Sequence, residues 1–343
     1  MKEVIVLGWV NEGKLATDGE SAKNQLLIRE LRKYCKVMVM DFYHWKRHPW
    51  IILQFLFALI VHPQASLVLS TSFSNIIPLV RIFKTLRVKK NIIHWVIGGR
   101  LHERVKSGEI QSSLLNYFSF NLVESQYMAD SLTECGVTNA LYVPNFKPID
   151  YLPLIPKKTG KTKFVFISRI MPEKGVDYIL DAVKLLIDSG YKGKFLVDFY
   201  GRFAPSYKDI FDKKIQCLEC VNYCGLLDFQ KKEGYNKLSS YHVMLFPTYW
   251  QGEGFAGVFM DAFIAGLPII ASDWGQNLSI VKDGETSIVI PVHSVEALKN
   301  AMEQTILGKY DLDTMSKKCR AEAFKYNSTN VINETLLSKL KIC

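Results

Sequence analysis

Two carboxylates, Glu253 and Asp261, bracket a small-residue loop in the stretch MLFPTYWQGEGFAGVFMDAFIAGLPIIASD, residues 244–273. Gly254, Phe255, Ala256 and Gly257 lead from the first acid into the apolar run Val258–Ala265, whose spacing suits a buried helix closed by Gly266 and Pro268. A loop entering a helix in this way offers unpaired backbone N–H groups and the positive end of the helix dipole, a setting that suits phosphate. Two carboxylates beside an anion site need a ligand with hydroxyls to donate, and a nucleotide sugar carries both groups. Further upstream, Ser168 and Arg169 end a strand-like run, and Lys174 follows in Pro172-Glu173-Lys174-Gly175. The planar fork of Arg169 and the movable charge of Lys174 can both reach one diphosphate from such a loop. Taken alone, the two could equally be ordinary surface cations.

In this order the residues resemble the retaining glycosyltransferases of the GT-B fold, in the family called glycosyl transferases group 1 or sucrose-synthase-like. The string that carries the resemblance is Pro247, Glu253, Gly254, Phe255, Asp261, Gly266, Pro268, Ile269, Ile270 and Ala271, preceded by Arg169 and Glu173-Lys174-Gly175. Asp261 stands where the family has Glu, and Ser279 where it often has another Glu. The resemblance implies an α/β chain of two doubly wound, Rossmann-like domains facing a central cleft. It implies that Arg169 and Lys174 hold the donor diphosphate and stabilise the departing nucleotide, that Glu253 orients the donor sugar and that Asp261 takes the ribose hydroxyls. Ser168 and the segment Gly254, Phe255, Ala256 and Gly257 would complete the donor site. In the first domain the family's glycine-bearing loop corresponds to Gly13 and Gly19, with Thr17 between them, although an ordinary strand-to-helix connection reads as well. The segment WVIGGRL resembles the acceptor-facing region of polysaccharide-assembly members, which makes Gly98, Gly99, Arg100 and His102 acceptor-side candidates; a solvated helix start is the alternative for His102 and Glu103. Retention of anomeric configuration, independence of metal and the absence of a cofactor are likewise what the resemblance implies.

The elements that must position these residues alternate. Strand-like runs at Val4–Leu7, Lys36–Asp41, Leu67–Leu69, Ile92–Val96, Phe120–Glu124 and Ala140–Val143 are separated by helix-like runs at Glu20–Tyr34, Trp50–Val61, Ile76–Leu86, Gln111–Ser119 and Gln126–Cys135. A second alternating set begins at Lys163, with short strands expected at Leu267–Ala271, Ile280–Val281 and Ser287–Ile290. Alternation of this kind predicts parallel sheets covered on both faces. The proline-bearing segment from Pro144 to Lys163 marks a boundary, giving an acceptor-side domain over 1–150, a nucleotide-sugar domain over 151–311 and a helical tail over 312–343 that crosses back to the first domain.

The chain has 343 residues and a net charge of +10, which favours an anionic partner: a diphosphate-bearing substrate, nucleic acid or an anionic membrane surface. Nucleic acid is disfavoured, since no basic stripe interleaves with aromatics. The beginning MKEVIVLGWV reads as a first strand and not as a signal peptide, so a cytoplasmic protein is expected. Cys217, Cys220 and Cys224 are read as thiols in preference to a zinc site. The apolar run Trp50–Val61 is too short to span a bilayer; it is either a core helix or an interfacial helix flanked by Lys46, Arg47 and His48. The reading that results is a nucleotide-sugar-dependent glycosyltransferase, acting on a polyprenyl-diphosphate-linked saccharide in cell-surface polysaccharide biosynthesis, with peripheral contact to the inner membrane face. The rivals are a catalytically silent module that binds a sugar nucleotide or supports a partner, and an epimerase or hydrolase on the same fold.

Overall fold

The computed structural model describes residues 2–14, 16 and 18–342; Thr17 lies outside them. The chain divides into two units, one formed by Met1–Pro148 with Tyr326–Cys343 and the other by Ile149–Lys325. In the first unit the order is β1 (Glu3–Gly8), α1 (Gly19–Leu31), β2 (Lys36–Asp41), α2 (Ile51–Val61), β3 (Ser66–Thr71), α3 (Phe73–Thr85), β4 (Ile92–Val96), α4 (Leu101–Lys106), α5 (Ser112–Leu115), β5 (Phe120–Val123), α6 (Gln126–Glu134) and β6 (Ala140–Tyr142). The strands form one parallel sheet in the order β2-β1-β3-β4-β5-β6. Side chains alternate across a strand, so Ile5 and Leu7 enter one core with α2 and α3 while Val4 and Val6 enter another with α1. Both faces are covered, which is why these strands read as unbroken apolar runs.

The second unit runs β7 (Thr162–Ile167), α7 (Val176–Leu186), β8 (Phe195–Tyr200), α8 (Lys208–Ile215), β9 (Val221–Tyr223), α9 (Lys232–Ser239), β10 (Val243–Phe246), α10 (Gly257–Ala265), β11 (Ile269–Ser272), β12 (Ser287–Ile290), α11 (Val295–Ile306) and α12 (Leu312–Ala323). Its sheet is also parallel, ordered β12-β11-β10-β7-β8-β9. Helix α12 packs beside α10, so residues 312–325 belong to this unit and the return to the first unit comes later than the start of the expected tail. There, α13 (Ser328–Val331) and α14 (Glu334–Lys339) bring Val331, Ile332, Leu337, Leu340 and Ile342 into the core with Val4, Val6 and Trp95.

Three local expectations need correction. Residues 111–119 do not form one helix: after α5 the Ser119 N–H goes to the Ile92 carbonyl at 2.7 Å, turning the chain into β5. Ile280 and Val281 are buried but not extended; both donate N–H to the Asn277 carbonyl and so close a turn. Core status does not extend along the whole Trp50–Val61 run, because in α2 only Phe55 and Ala58 are fully buried.

Candidate functional site

The second sheet reverses its winding between β7 and β10: β8 and β9 lie to one side, β11 and β12 to the other. Loops leaving the carboxyl ends of strands diverge at such a point and open a crevice for ligands. The loop after β7 carries Ser168 and Arg169 and then a single 3-10 turn, Pro172–Lys174. Gly175 follows at φ 80°, where a Cβ would overlap the Pro247 carbonyl oxygen from the loop after β10. Glycine therefore lets the two loops close on one another. The N–H of Tyr249 seals the approach by donating to the Glu173 carbonyl at 2.8 Å.

That closure brings the two principal sequence candidates together. Lys174 Nζ lies 2.5 Å from Glu253 Oε2, and the two side chains are only 12% and 9% exposed. The hydroxyl of Thr248 stands 3.0 Å from the same carboxylate oxygen, and Ser272 Oγ donates to the Thr248 carbonyl at 2.6 Å. The Lys174 ammonium also sits 5.8 Å from the centroid of the Phe246 ring. Charges this well shielded from water act strongly on one another and on any ligand that reaches them. Arg169 remains exposed and has no ion-pair partner among the described residues.

Phe255 is 7% exposed and anchors the small-residue loop, delivering Ala256 and Gly257 to the start of α10. Among the described residues no side chain caps that helix, which leaves its first N–H groups without the usual hydroxyl or carboxylate acceptor. Asp261 lies within α10 but is buried, and its Oδ1 accepts from Tyr235 of α9 at 2.9 Å. Burial, and then the Asp261 charge, push the Tyr235 hydroxyl well above the usual phenol range, so it remains a donor. The helix therefore turns Asp261 Oδ1 towards Tyr235 of α9.

The remaining candidates belong to the first unit. Gly13, at φ 77°, lies in an exposed loop that Gln25 holds by donating to the carbonyls of Val10, Asn11 and Lys14. Gly19 opens α1, which Asp18 caps by accepting from the Ser21 N–H at 2.8 Å. Gly98 and Gly99 follow β4, with Gly98 at φ 105°, and Arg100 donates to Glu103 at 2.8 Å. His102 is buried with its ring edge-on to Tyr127, its Nδ1 has no hydrogen-bond partner among the described residues, and burial lowers its pKa so that the ring is neutral near pH 7.

Thr248 and Tyr235 were not among the sequence candidates. Thr248 does carry a signal, a hydroxyl directly after the strand-closing Pro247. Tyr235 carries none, because a tyrosine on a helix shows its hydroxyl's direction only after the helix is docked.

The residues of this cluster lie inside a segment, 153–326, that matches the family model for glycosyl transferases group 1. The chain belongs to this family. Among relatives, a UDP-Gal:alpha-D-GlcNAc-diphosphoundecaprenol alpha-1,3-galactosyltransferase of Escherichia coli is 24% identical over 165 residues, covering 48% of this chain and 41% of that one. The capsular polysaccharide biosynthesis glycosyltransferase CapM of Staphylococcus aureus is 22% identical over 173 residues, covering 50% and 44%. The chain thus spans less than half the length of these relatives. Among solved structures, Anabaena HepE in complex with UDP and glucose superposes with a TM-score of 0.72 at 12% identity, covering 100% of both chains. Sucrose-phosphate synthase of Thermosynechococcus elongatus gives 0.77 at 14% identity, covering 99% and 98%. With its two parallel six-stranded sheets, this member of glycosyl transferases group 1 has the GT-B fold.

Proposed function

We propose that the protein is a retaining, metal-independent glycosyltransferase that moves a sugar from a nucleotide-sugar donor to a lipid-linked saccharide in cell-surface polysaccharide synthesis. The observation that carries this reading is the shielded Lys174–Glu253 pair at the winding reversal of the second sheet, with Arg169 exposed on the same loop. In the reaction the bond between the anomeric carbon and the β-phosphate oxygen breaks and a bond to the acceptor oxygen forms. The acceptor proton passes to the departing nucleoside diphosphate. Negative charge collects on that phosphate, where each preorganised donor is worth roughly 3–4 kcal/mol. Arg169, Lys174 and the uncapped start of α10 supply such donors without a metal ion. Glu253, held in place by Lys174 and Thr248, meets the donor sugar hydroxyls.

The acceptor is drawn from chemistry named for the relatives, one a galactosyltransferase acting on a diphosphoundecaprenol-linked sugar and another of capsule synthesis. An acceptor of that kind places the enzyme at the cytoplasmic face of a membrane. The test is release of nucleoside diphosphate from UDP-, GDP-, ADP- and dTDP-sugars, with and without a polyprenyl-diphosphate-sugar acceptor, in EDTA. One donor turned over only with acceptor, undiminished by EDTA and with the anomeric configuration kept in the product, is the expected result. Turnover that EDTA abolishes refutes metal independence, and inversion refutes retention. Tight binding of a sugar nucleotide without turnover favours the silent module.

A further inference from the structure

Helix α2 is turned the wrong way round for a helix that merely covers a sheet. It packs beside β2 and buries Phe55 and Ala58 in the core that also holds Ile5, Leu7, Leu67 and Leu69, while Leu53, Phe57 and Ile60 are 69%, 67% and 76% exposed. Trp50, Leu56 and Val61 extend the same exposed apolar surface. Gln54 is the one polar residue along its length. By contrast, α7 of the second unit shows solvent Asp181 and Lys184, the usual outer face of a covering helix. An apolar face of this size on a protein surface marks a contact with something.

Charge indicates what that something is. Between Asp41 and Glu103 the sequence has no acidic residue but eight basic ones: Lys46, Arg47, Arg81, Lys84, Arg87, Lys89, Lys90 and Arg100. Lys46 and Arg47 lie in the exposed turn directly before α2. Helix α3 packs into the same core as α2, so it covers the same sheet face, and it exposes Ile82 alongside Arg81 and Lys84, with Leu86 and Arg87 just beyond. A pocket of about 270 Å³ lined by Trp9, Tyr43, His44, Trp45, Lys46 and Arg47 opens at the amino end of α2. Apolar side chains bordered by cations and indole rings match the layered chemistry of a lipid surface, acyl chains beneath anionic headgroups. A second copy of this chain would set like charges against each other.

We infer that α2 and the Trp45–Arg47 turn form an interfacial docking surface for anionic lipid, with Leu53, Phe57 and Ile60 entering the acyl boundary and Lys46 and Arg47 meeting headgroup phosphate. The inference rests on the membrane-side reading above for its setting, but not on any turnover. It is tested by sedimentation with vesicles that contain neither donor nor acceptor, made of phosphatidylcholine alone or with phosphatidylglycerol at about 30 mol%. Binding to the anionic vesicles should exceed binding to neutral ones by about tenfold and fall by about tenfold in Phe57→Ser/Ile60→Ser and in Lys46→Ser/Arg47→Ser. Because these side chains face outward, melting curves of the variants should follow the native one. Brominated lipid gives a second readout on the native protein: quenching of tryptophan fluorescence that Trp50→Phe reduces. Equal binding to both vesicles, no binding, or a dimer in sedimentation equilibrium that Phe57→Ser/Ile60→Ser dissolves would each overturn the inference. Failure here leaves donor turnover intact, and failure of turnover leaves vesicle binding intact, so the two readings fall separately.

Discussion

Each unit holds a lysine–glutamate pair shielded from water near the carboxyl ends of its strands, and the two pairs are built differently. In the first unit Lys23 of α1 lies 2.7 Å from Glu124, which follows β5, and also donates to the Val96 carbonyl at the end of β4. A helix holds the lysine and the end of a strand presents the glutamate, and the lysine ties α1 to two strand ends. In the second unit Lys174 and Glu253 come from two loops pressed together at Gly175, and Thr248 shares the carboxylate. The same two residue types thus serve as a clamp between elements in one place and as part of a crevice in the other. What separates them is the backbone that presents them.

Substitution should pull the two pairs apart. The largest expected effect is on stability in the first unit: Lys23→Met leaves Glu124 buried and uncompensated, costing ~3–5 kcal/mol in urea unfolding, most of which Lys23→Met/Glu124→Leu should restore. A small loss in the single variant would mean that Glu124 escapes to water and that the clamp is not structural. Next comes activity in the second unit. Glu253→Gln and Lys174→Met should each lower sugar transfer by ~100- to 1000-fold in steady-state assays; transfer within a few-fold of native would remove the pair from the reaction.

Histidine titration tests whether the units share an acid weakness. Burial holds His94 of the first unit, between Asn121 and the Thr71 carbonyl, at about 4, well below its ordinary 6.5. His242 of the second is also held at about 4, by burial and then by Lys158 and Lys163. In this window the unfolded chain binds protons that the folded chain refuses, so stability should fall as pH drops from 6.5 towards 4 and level off below. For His94 the loss is on the order of 3 kcal/mol, and His94→Gln should flatten the curve measured by chemical unfolding across that range. The smallest effect expected is from Gly175→Ala, ~1–3 kcal/mol from the left-handed backbone and the Pro247 carbonyl; a crystal structure of the variant should show the Pro172–Lys174 turn displaced.

The sequence is most legible where backbone demands and chemistry coincide. Gly175 had to be glycine for the loops to meet, and Lys174 and Glu253, which that closure brings into contact, both stand in motifs visible in the sequence. The strands Ile92–Val96 and Val243–Phe246 coincide with their apolar runs because both sheet faces are covered. Lys23 was invisible: within a helix it looks like any other lysine until β4 and β5 are in place. The direction of α2 was equally hidden, since a run with one polar residue gives no stripe by which to orient it. Asp261 shows the converse limit, a motif position whose helix turns it to Tyr235.

The passage of the chain between the units carries a further consequence for how the molecule is made. Lys147 N–H donates to the Tyr326 carbonyl at 2.9 Å and the Ser328 N–H returns to the Lys147 carbonyl at 3.0 Å, so the outgoing and incoming segments lie side by side. In the order of the chain the second unit is a guest set inside the first. On the ribosome, where domains ordinarily mature in the order they emerge, the guest has its whole sequence before its host does. The host lacks Ile332, Leu337, Leu340 and Ile342 until the stretch that follows the guest is synthesised, so of the two units the one begun first is completed second.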